Sequence, residues 1–344
     1  MEQTMKTRAL YIPLITAIVG AFALVIFAAP KAKNEPKAGA IRVLFLGHES
    51  EHHNSNKFYP MLAKGLGRDA IYFDYVTSVE EALGDAAYLG KFDAVLLYAN
   101  HGNITPNQWK NLKGYVEAGG GFVPVHCASW CFGNEPEFDQ LVGGRFASHK
   151  VGTFTAKVVD PKHPAMAGVK EFEAWDETYK HKNHNEKDRQ VLMVREVSGK
   201  DDNITEPEPW TWVRTQGKGR VFYTASGHDE RIWKQPAFHQ LLKAGILWSV
   251  GNERKQSYEE FIAERAPLKY EKRGDIANYE NRPEPLPYQF PLKAEDSMNY
   301  TQAPVGFRLE LFASEPDIIN PIGLAWDERG RLWVAETVDY PNEM

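Results

Sequence analysis

Short apolar segments that alternate with helical segments constrain the fold of this chain more than any other feature. Four apolar runs in the first half have the length of buried strands, at 41–46, 72–76, 92–98 and 122–125. Residues 58–66 have helical spacing, and Thr105-Pro106 begins a helix that ends at the glycines 119–121. Strands that alternate with helices predict an α/β domain with a doubly wound, mostly parallel sheet. Ligands of such sheets bind beyond the carboxyl ends of the strands.

The second half has a more mixed pattern. Further strands are predicted at 154–159, 191–197, 211–214 and 220–224, and a closing helix at 238–250. Residues 253–303 are rich in Glu, Lys, Pro and Tyr with little periodicity, which predicts an extended linker. From residue 304, apolar runs at 307–312, 322–326 and 331–335 predict a small β unit with a hairpin, too short for a complete propeller or barrel. The α/β domain is therefore expected to span residues 41–252.

The N-terminus has the pattern of an export signal. Lys6 and Arg8 precede a long apolar run at 9–29, and a Lys- and Pro-containing linker follows at 31–40. The run is long enough to cross a bilayer. Residues 1–30 are therefore either a cleaved signal peptide or an uncleaved membrane anchor, and both predict a membrane-anchored or secreted protein.

Charge and cysteine content exclude several classes of function. The formal net charge is −6, and no basic segment of the kind that binds nucleic acid is present. The two cysteines, Cys127 and Cys131, are too few for a disulfide framework and do not form the C-x-x-C-H motif of haem attachment. The sequence leaves open whether Cys127 and Cys131 form one local disulfide. We expect Cys127 to be a small buried residue rather than a nucleophile.

Histidines follow three of the four predicted strands of the first half, as His48, His101 and His126. Because the carboxyl ends of parallel strands meet at one edge of a sheet, these side chains are expected to converge. His149 and His228 occur later in the chain. The sequence therefore predicts a shared polar site.

Two kinds of chemistry fit such a site, and the sequence leaves both open. His48, His126 and His228 are possible ligands of a divalent metal. Alternatively, His126, Glu177 and His228 act as general acid and base. Acidic residues beside aromatic ones also predict sugar binding, and the substrate-binding candidates are His48, His53, His149, Asp176 and Tyr179.

His126 is the predicted centre of this site. It ends the fourth strand, and we expect its side chain to be exposed at the sheet edge. The positive N-terminal end of a following helix would favour the neutral imidazole.

An ordered set of short motifs resembles the ThuA-like (trehalose utilisation) family. The motifs are GGGFVPVH at 119–126, GGRFASH at 143–149, HP at 163–164, DETY at 176–179, GKGRVFY at 217–223, GH at 227–228 and GILW at 245–248. The resemblance implies a class I glutamine amidotransferase-like, flavodoxin-type fold without the amidotransferase nucleophile. It also implies a role in the metabolism of trehalose or 3-keto sugars.

Residues 304–344 are similar to the first blade of the β-propeller of membrane-bound dehydrogenases, which often carry a haem domain. The quinone, calcium and haem sites of those proteins have no counterpart in this sequence, so a partial first blade is expected. Two functions stay open: an enzyme that acts on a keto-sugar or glycoside, and a non-catalytic carbohydrate-binding module.

Overall fold

The computed structural model describes residues 39–275 and 287–337. The predicted signal or anchor at 1–30 and most of the linker after it lie outside the described residues. No helix within the described ranges is both long and apolar enough to cross a membrane.

The strands in chain order are β1 (Ile41–Leu46), β2 (Ile71–Val76), β3 (Ala94–Leu97), β4 (Gly121–Pro124), β5 (Arg145–Ser148), β6 (Val151–Thr155), β7 (Lys157–Val158), β8 (Glu173–Glu177), β9 (Lys180–Lys182), β10 (Arg189–Arg195), β11 (Glu208–Gln216), β12 (Gly219–Thr224), β13 (Tyr270–Lys272), β14 (Pro287–Gln289), β15 (Pro321–Trp326) and β16 (Leu332–Glu336). The α-helices are α1 (Ser55–Gly67), α2 (Val79–Leu83), α3 (Ala86–Leu89), α4 (Pro106–Glu117), α5 (Pro136–Val142), α6 (Glu230–Trp233), α7 (Pro236–Ser249), α8 (Asn252–Glu264) and α9 (Ala294–Met298).

The central sheet has eight strands in the order β2-β1-β3-β4-β12-β11-β10-β7. Neighbours from β2 to β12 are parallel, and β11, β10 and β7 continue the sheet antiparallel. The chain steps from β1 outward to β2 and then back past β1 to β3, so right-handed crossovers place α1 on one face and α2–α4 on the other. The prediction of an α/β fold with a mostly parallel sheet is confirmed.

Burial on both faces explains why the central strands are continuously apolar. Every residue of β3 and β4 is buried. Helix α1 contributes Phe58, Leu62 and Leu66, which are spaced to lie on one side of the helix and are buried in the same core. The carboxyl ends of β1, β3, β4 and β12 meet at one edge of this core.

Two small sheets lie between β4 and β10 along the chain. Strands β5 and β9 pair, as do β6 and β8. The single strand predicted at 154–159 is split, because its first part belongs to β6 and pairs with β8 while β7 pairs with β10.

The segment 253–303 differs from the extended linker predicted for it. Helix α8 begins at its start, and both polar and apolar contacts fix this helix to the domain. Arg254 forms an ion pair with Asp93 at 3.0 Å, and the buried Tyr258 donates to the carbonyl of Asp69 at 2.7 Å. Phe261 and Ile262 are partly buried against the same core, so the inward side chains of α8 at 254, 258, 261 and 262 have helical spacing, which the prediction of a linker overlooked.

The predicted C-terminal hairpin is present as β15 and β16, which pair antiparallel. The apolar run at 307–312, which was expected to belong to the same β unit, is not a strand, since the backbone there has no partner strand among the described residues. Apolar side chains of the hairpin, including Leu324, Trp326 and Trp333, are exposed to solvent.

Candidate functional site

Three histidines and one glutamate converge at the carboxyl edge of the sheet. The nitrogen and oxygen atoms of His53, His126, Glu177 and His228 that face one another all lie within 4.8 Å. The Nε2 atom of His126 is 3.2 Å from His53 Nε2 and 3.1 Å from Glu177 Oε2. His228 Nδ1 is 3.3 Å from both His53 Nε2 and Glu177 Oε1.

Each of these four residues is placed by a different part of the chain. His126 follows β4, and His228 follows β12, which is the parallel neighbour of β4. His53 lies in the loop between β1 and α1, and Glu177 is the last residue of β8. The sheet edge therefore supplies the three histidines, and the small sheet supplies the carboxylate.

The backbone at this site adopts conformations that L-residues rarely take. His126 and His53 have positive φ angles of 50° and 54°. Gly227 has a φ of +141°, and a Cβ atom there would lie 3.1 Å from the Cβ of His126. Positive φ at non-glycine residues costs free energy and is found where the surrounding structure enforces it, commonly at functional sites.

The outer nitrogens of two imidazoles are already engaged. His126 Nδ1 donates to the carbonyl of Ala225 at 2.6 Å, and His53 Nδ1 donates to the side-chain oxygen of Asn100 at 2.9 Å. A neutral imidazole has one N–H group, so the Nε2 atoms of both residues present lone pairs toward each other and toward Glu177. Metal-binding histidines typically donate their second nitrogen to a carbonyl or carboxylate in this way.

Burial determines the protonation of the cluster. It lowers the pKa of His126 to about 3, against opposing contributions from Glu177 and the carbonyl of Ala225, so this imidazole is neutral near pH 7. Burial alone would raise the pKa of Glu177. A proton or other positive charge shared with the His126, His228 and His53 imidazoles outweighs burial and holds that pKa well below its usual range. The cluster therefore carries a carboxylate.

A second layer of hydrogen bonds holds the His228 loop. The carboxylate of Asp176 accepts from the backbone N–H groups of Gly227 and His228, each at 3.0 Å. The hydroxyl of Tyr98 donates to the carbonyl of Gly227 at 2.7 Å. Asp176 is fully buried, and burial raises its pKa to about 7 against these hydrogen bonds. Asp176 therefore orients the backbone of the His228 loop, and its predicted part in substrate binding stays a prediction.

The donor set fits a divalent metal ion. A metal held at about 2.1 Å by nitrogen and oxygen ligands separates tetrahedral ligand atoms by about 3.4 Å. The contacts between neighbouring donor atoms in the cluster run from 3.1 to 3.5 Å. Bare imidazole nitrogens and a carboxylate at these separations repel one another unless a cation or extra protons lie between them. His53, His126, Glu177 and His228 are thus the residues that could hold a metal.

A cavity of about 170 Å³ adjoins the cluster. The side chains around it are His52, His53, Asn100, Trp130, Phe146, His149, Glu177 and Tyr179. His149 is half-exposed, with its Nδ1 atom 3.4 Å from Glu177 Oε1. The buried Tyr179 stacks on His126 with 4.1 Å between ring centroids. The predicted candidates His149 and Tyr179 therefore lie beside the four converging residues but are not part of that group.

His48 does not belong to the converging group, in contrast to its predicted part in a metal site. Its Nε2 atom bonds the carbonyl of His53 at 2.9 Å, and its Nδ1 atom accepts from the backbone N–H of Asn100 at 3.1 Å. Both nitrogens are thus used to position the His53 loop. In the sequence, His48 comes soon after β1, but the loop turns so that the later His53 reaches the site.

The prediction that the His126 side chain is exposed at the sheet edge is wrong. Its side chain is fully buried, and the helix that follows is a short 3₁₀ turn at His126–Trp130. Burial rather than a helix dipole keeps the imidazole neutral. Both cysteines are free and buried, as expected for Cys127, and burial raises the pKa of that thiol well above its usual value.

Comparison with known proteins identifies the domain. The family model described as ThuA, trehalose utilisation, matches residues 42–249, and a model for a domain of unknown function, DUF7133, matches residues 293–344. A search of curated protein sequences gives no match.

Two similar solved structures are ThuA-like proteins. The one from Bacteroides uniformis has a TM-score of 0.53 and 21% identity, and the match covers 66% of this chain and 99% of that one. The one from Parabacteroides merdae has a TM-score of 0.52 and 20% identity, with 61% and 90% covered. At this identity the likeness concerns the fold. The family-model match spans more than half of the chain, and the chain therefore belongs to the ThuA, trehalose utilisation, family.

Proposed function

We propose that this domain is a divalent-metal-dependent enzyme that acts on a keto-sugar or glycoside, with the metal held by His53, His126, Glu177 and His228. The observation that carries the proposal is the convergence of two imidazole Nε2 atoms, 3.2 Å apart, on a buried carboxylate, with the Nδ1 atom of each ring already bonded to another acceptor. Metal-free acid–base chemistry would need only one such nitrogen. The family description supports the carbohydrate substrate.

A bound metal would polarise a substrate carbonyl or lower the pKa of a bound water. The chain's own residues supply the rest of the chemistry. His149 is half-exposed beside Glu177 and can exchange a proton with solvent and with a ligand in the cavity. Asp176 and Tyr98 keep the His228 loop in place, so the site is organised before a ligand arrives.

The alternative function is a carbohydrate-binding module without turnover, which the small cavity beside the cluster also fits. Purified full-length protein should be assayed on a panel of 3-keto glycosides and the parent glycosides, after chelation and after return of zinc or manganese. We expect metal-dependent turnover that Glu177→Gln and His126→Gln abolish. Glycoside binding without turnover at any metal concentration would establish the binding module instead.

We also infer that the protein acts outside the cytoplasm, on the strength of Lys6, Arg8 and the apolar run at 9–29. Fractionation of the native host tests this inference. Recovery of the protein in the soluble cytoplasmic fraction would contradict it.

A further inference from the structure

One aromatic ring of the α/β domain stands apart from the others. Among the Phe, Tyr and Trp side chains of residues 41–252, all but one are buried or partly buried, and the exception is Trp130, at 41% exposure. Trp130 lies on the rim of the cavity that adjoins the His/Glu cluster. A ligand that packs on this indole would remove apolar surface from water, which is favourable.

The backbone that carries this ring is fixed from several sides. Arg145 donates from Nη2 to the carbonyl of Trp130 at 2.9 Å and from Nη1 to the carbonyl of Cys131 at 3.2 Å. Arg145 is itself paired with Asp139 at 2.9 Å. The thiol of Cys131 donates to the carbonyl of Ala99 at 3.0 Å. The indole is therefore an exposed ring on a rigid support, which reduces the entropy lost when a ligand packs on it.

Polar groups converge on the same cavity from the opposite direction. The Asn100 side-chain oxygen is used by His53, and its amide nitrogen makes no hydrogen bond within residues 39–275 and 287–337. His149 and His52 add exposed imidazoles at the cavity wall. An apolar ring on one side and several hydrogen-bonding groups on the other match a pyranose, which has an apolar C–H face and a rim of hydroxyls.

We propose that Trp130 is the stacking platform of a single-pyranose subsite, on which a sugar with equatorial hydroxyls lies while its oxygens face Asn100, His149 and the His/Glu cluster. This inference rests on the proposed function and adds the residue that selects the sugar. The cavity, at about 170 Å³, is smaller than the roughly 300–1,000 Å³ of drug-sized pockets, which suits one ring of a ligand. A galactoside can still stack through the face opposite its axial 4-hydroxyl, but that oxygen no longer points where an equatorial one would, so its hydroxyls should match Asn100 and His149 less well and it should bind less tightly.

The test uses full-length protein loaded with zinc, with methyl β-D-glucopyranoside, its 3-keto derivative and methyl β-D-galactopyranoside as probes. Calorimetry or saturation-transfer NMR gives the affinity for Trp130→Ala, Trp130→Phe and the control Trp333→Ala, which removes an exposed indole of the C-terminal hairpin. We expect Trp130→Ala to weaken glucoside binding at least tenfold, about 1.4 kcal/mol. Trp130→Phe should lose less than threefold and Trp333→Ala nothing, and zinc affinity should be unchanged in all three.

The outcomes separate this inference from the proposed function. Glucoside affinity that is the same in Trp130→Ala and wild type overturns the stacking role and leaves the function standing. Zinc binding without binding of any glycoside to the wild type overturns both the subsite and the carbohydrate assignment. Trp130-dependent glucoside binding to a protein that takes up no metal supports the platform and removes the metal from the proposed function.

Discussion

Removal of the metal should lower the thermal stability of the domain by an amount that can be worked out. A ligand at 100 times its Kd stabilises the folded state by about 2.7 kcal/mol. For a domain of this size, 1 kcal/mol corresponds to about 2–4 °C in Tm, so zinc returned after chelation should raise Tm by about 5–11 °C. The structure puts all four donor atoms within 4.8 Å of one another without a metal, so the ligand candidates have only a short way to move when an ion binds.

Glu177→Gln should remove most of this shift. The amide keeps the shape of the side chain but lacks the charge that faces His126 and His228 at 3.1 and 3.3 Å. If the Kd rises about 100-fold, the same zinc concentration equals the new Kd, and about 0.4 kcal/mol remains, which is about 1–2 °C.

Scanning fluorimetry with and without zinc, after dialysis against a chelator, measures the shift. His149→Ala is the matched control, since it removes a half-exposed imidazole beside Glu177 and leaves the four ligand candidates intact. We expect this variant to keep the full shift. Equal responses from wild type and Glu177→Gln would refute the assignment of the cluster as a metal site.

Three further substitutions test the surrounding structure. Asp202→Asn should lower the free energy of unfolding, measured with urea, by about 3–5 kcal/mol, because Arg195 loses its ion-pair partner and its side chain is only 2% exposed. A loss under 1 kcal/mol would contradict this reasoning. Asp176→Asn should lower zinc affinity about 10- to 100-fold in calorimetric titration, as loss of an outer-shell group does, and unchanged affinity would argue against its orienting role. Gly227→Ala, with its new methyl against His126, should cost about 1–3 kcal/mol and weaken zinc binding, and a wild-type Tm and Kd would show that the loop relaxes freely.

The parallel sheet was predictable because each of its first strands has a recognisable local sequence pattern. β1, β3 and β4 are short apolar runs, and α4 has its capping threonine and N-terminal proline in sequence. Convergence of His126 and His228 follows from this topology, since their strands are parallel neighbours. These parts of the site depend on short-range patterns and on one rule of sheet geometry.

The remaining parts depend on tertiary contacts that no local pattern encodes. Which histidine of the β1 loop enters the site is decided by the positive φ of His53 and by the bonds that hold His48. Asp176 and Glu177 are adjacent in sequence, but strand alternation sends one carboxylate to the backbone of the His228 loop and the other to the cluster. Asn100 and Trp130 have no motif that singles them out, and only the cavity shows what they share.

The wide spacing of the four ligand candidates along the chain bears on the order of folding and metal uptake. His53 and His126 are 73 residues apart, and His126 and Glu177 are 51 apart. Closing a loop of such length costs an unfolded chain about 3.5–4 kcal/mol, so an ion binds these residues far more weakly before the sheet has formed than after it. A metal bound at this site would therefore enter after the sheet has formed, and the compartment in which folding finishes would decide which ion the site acquires.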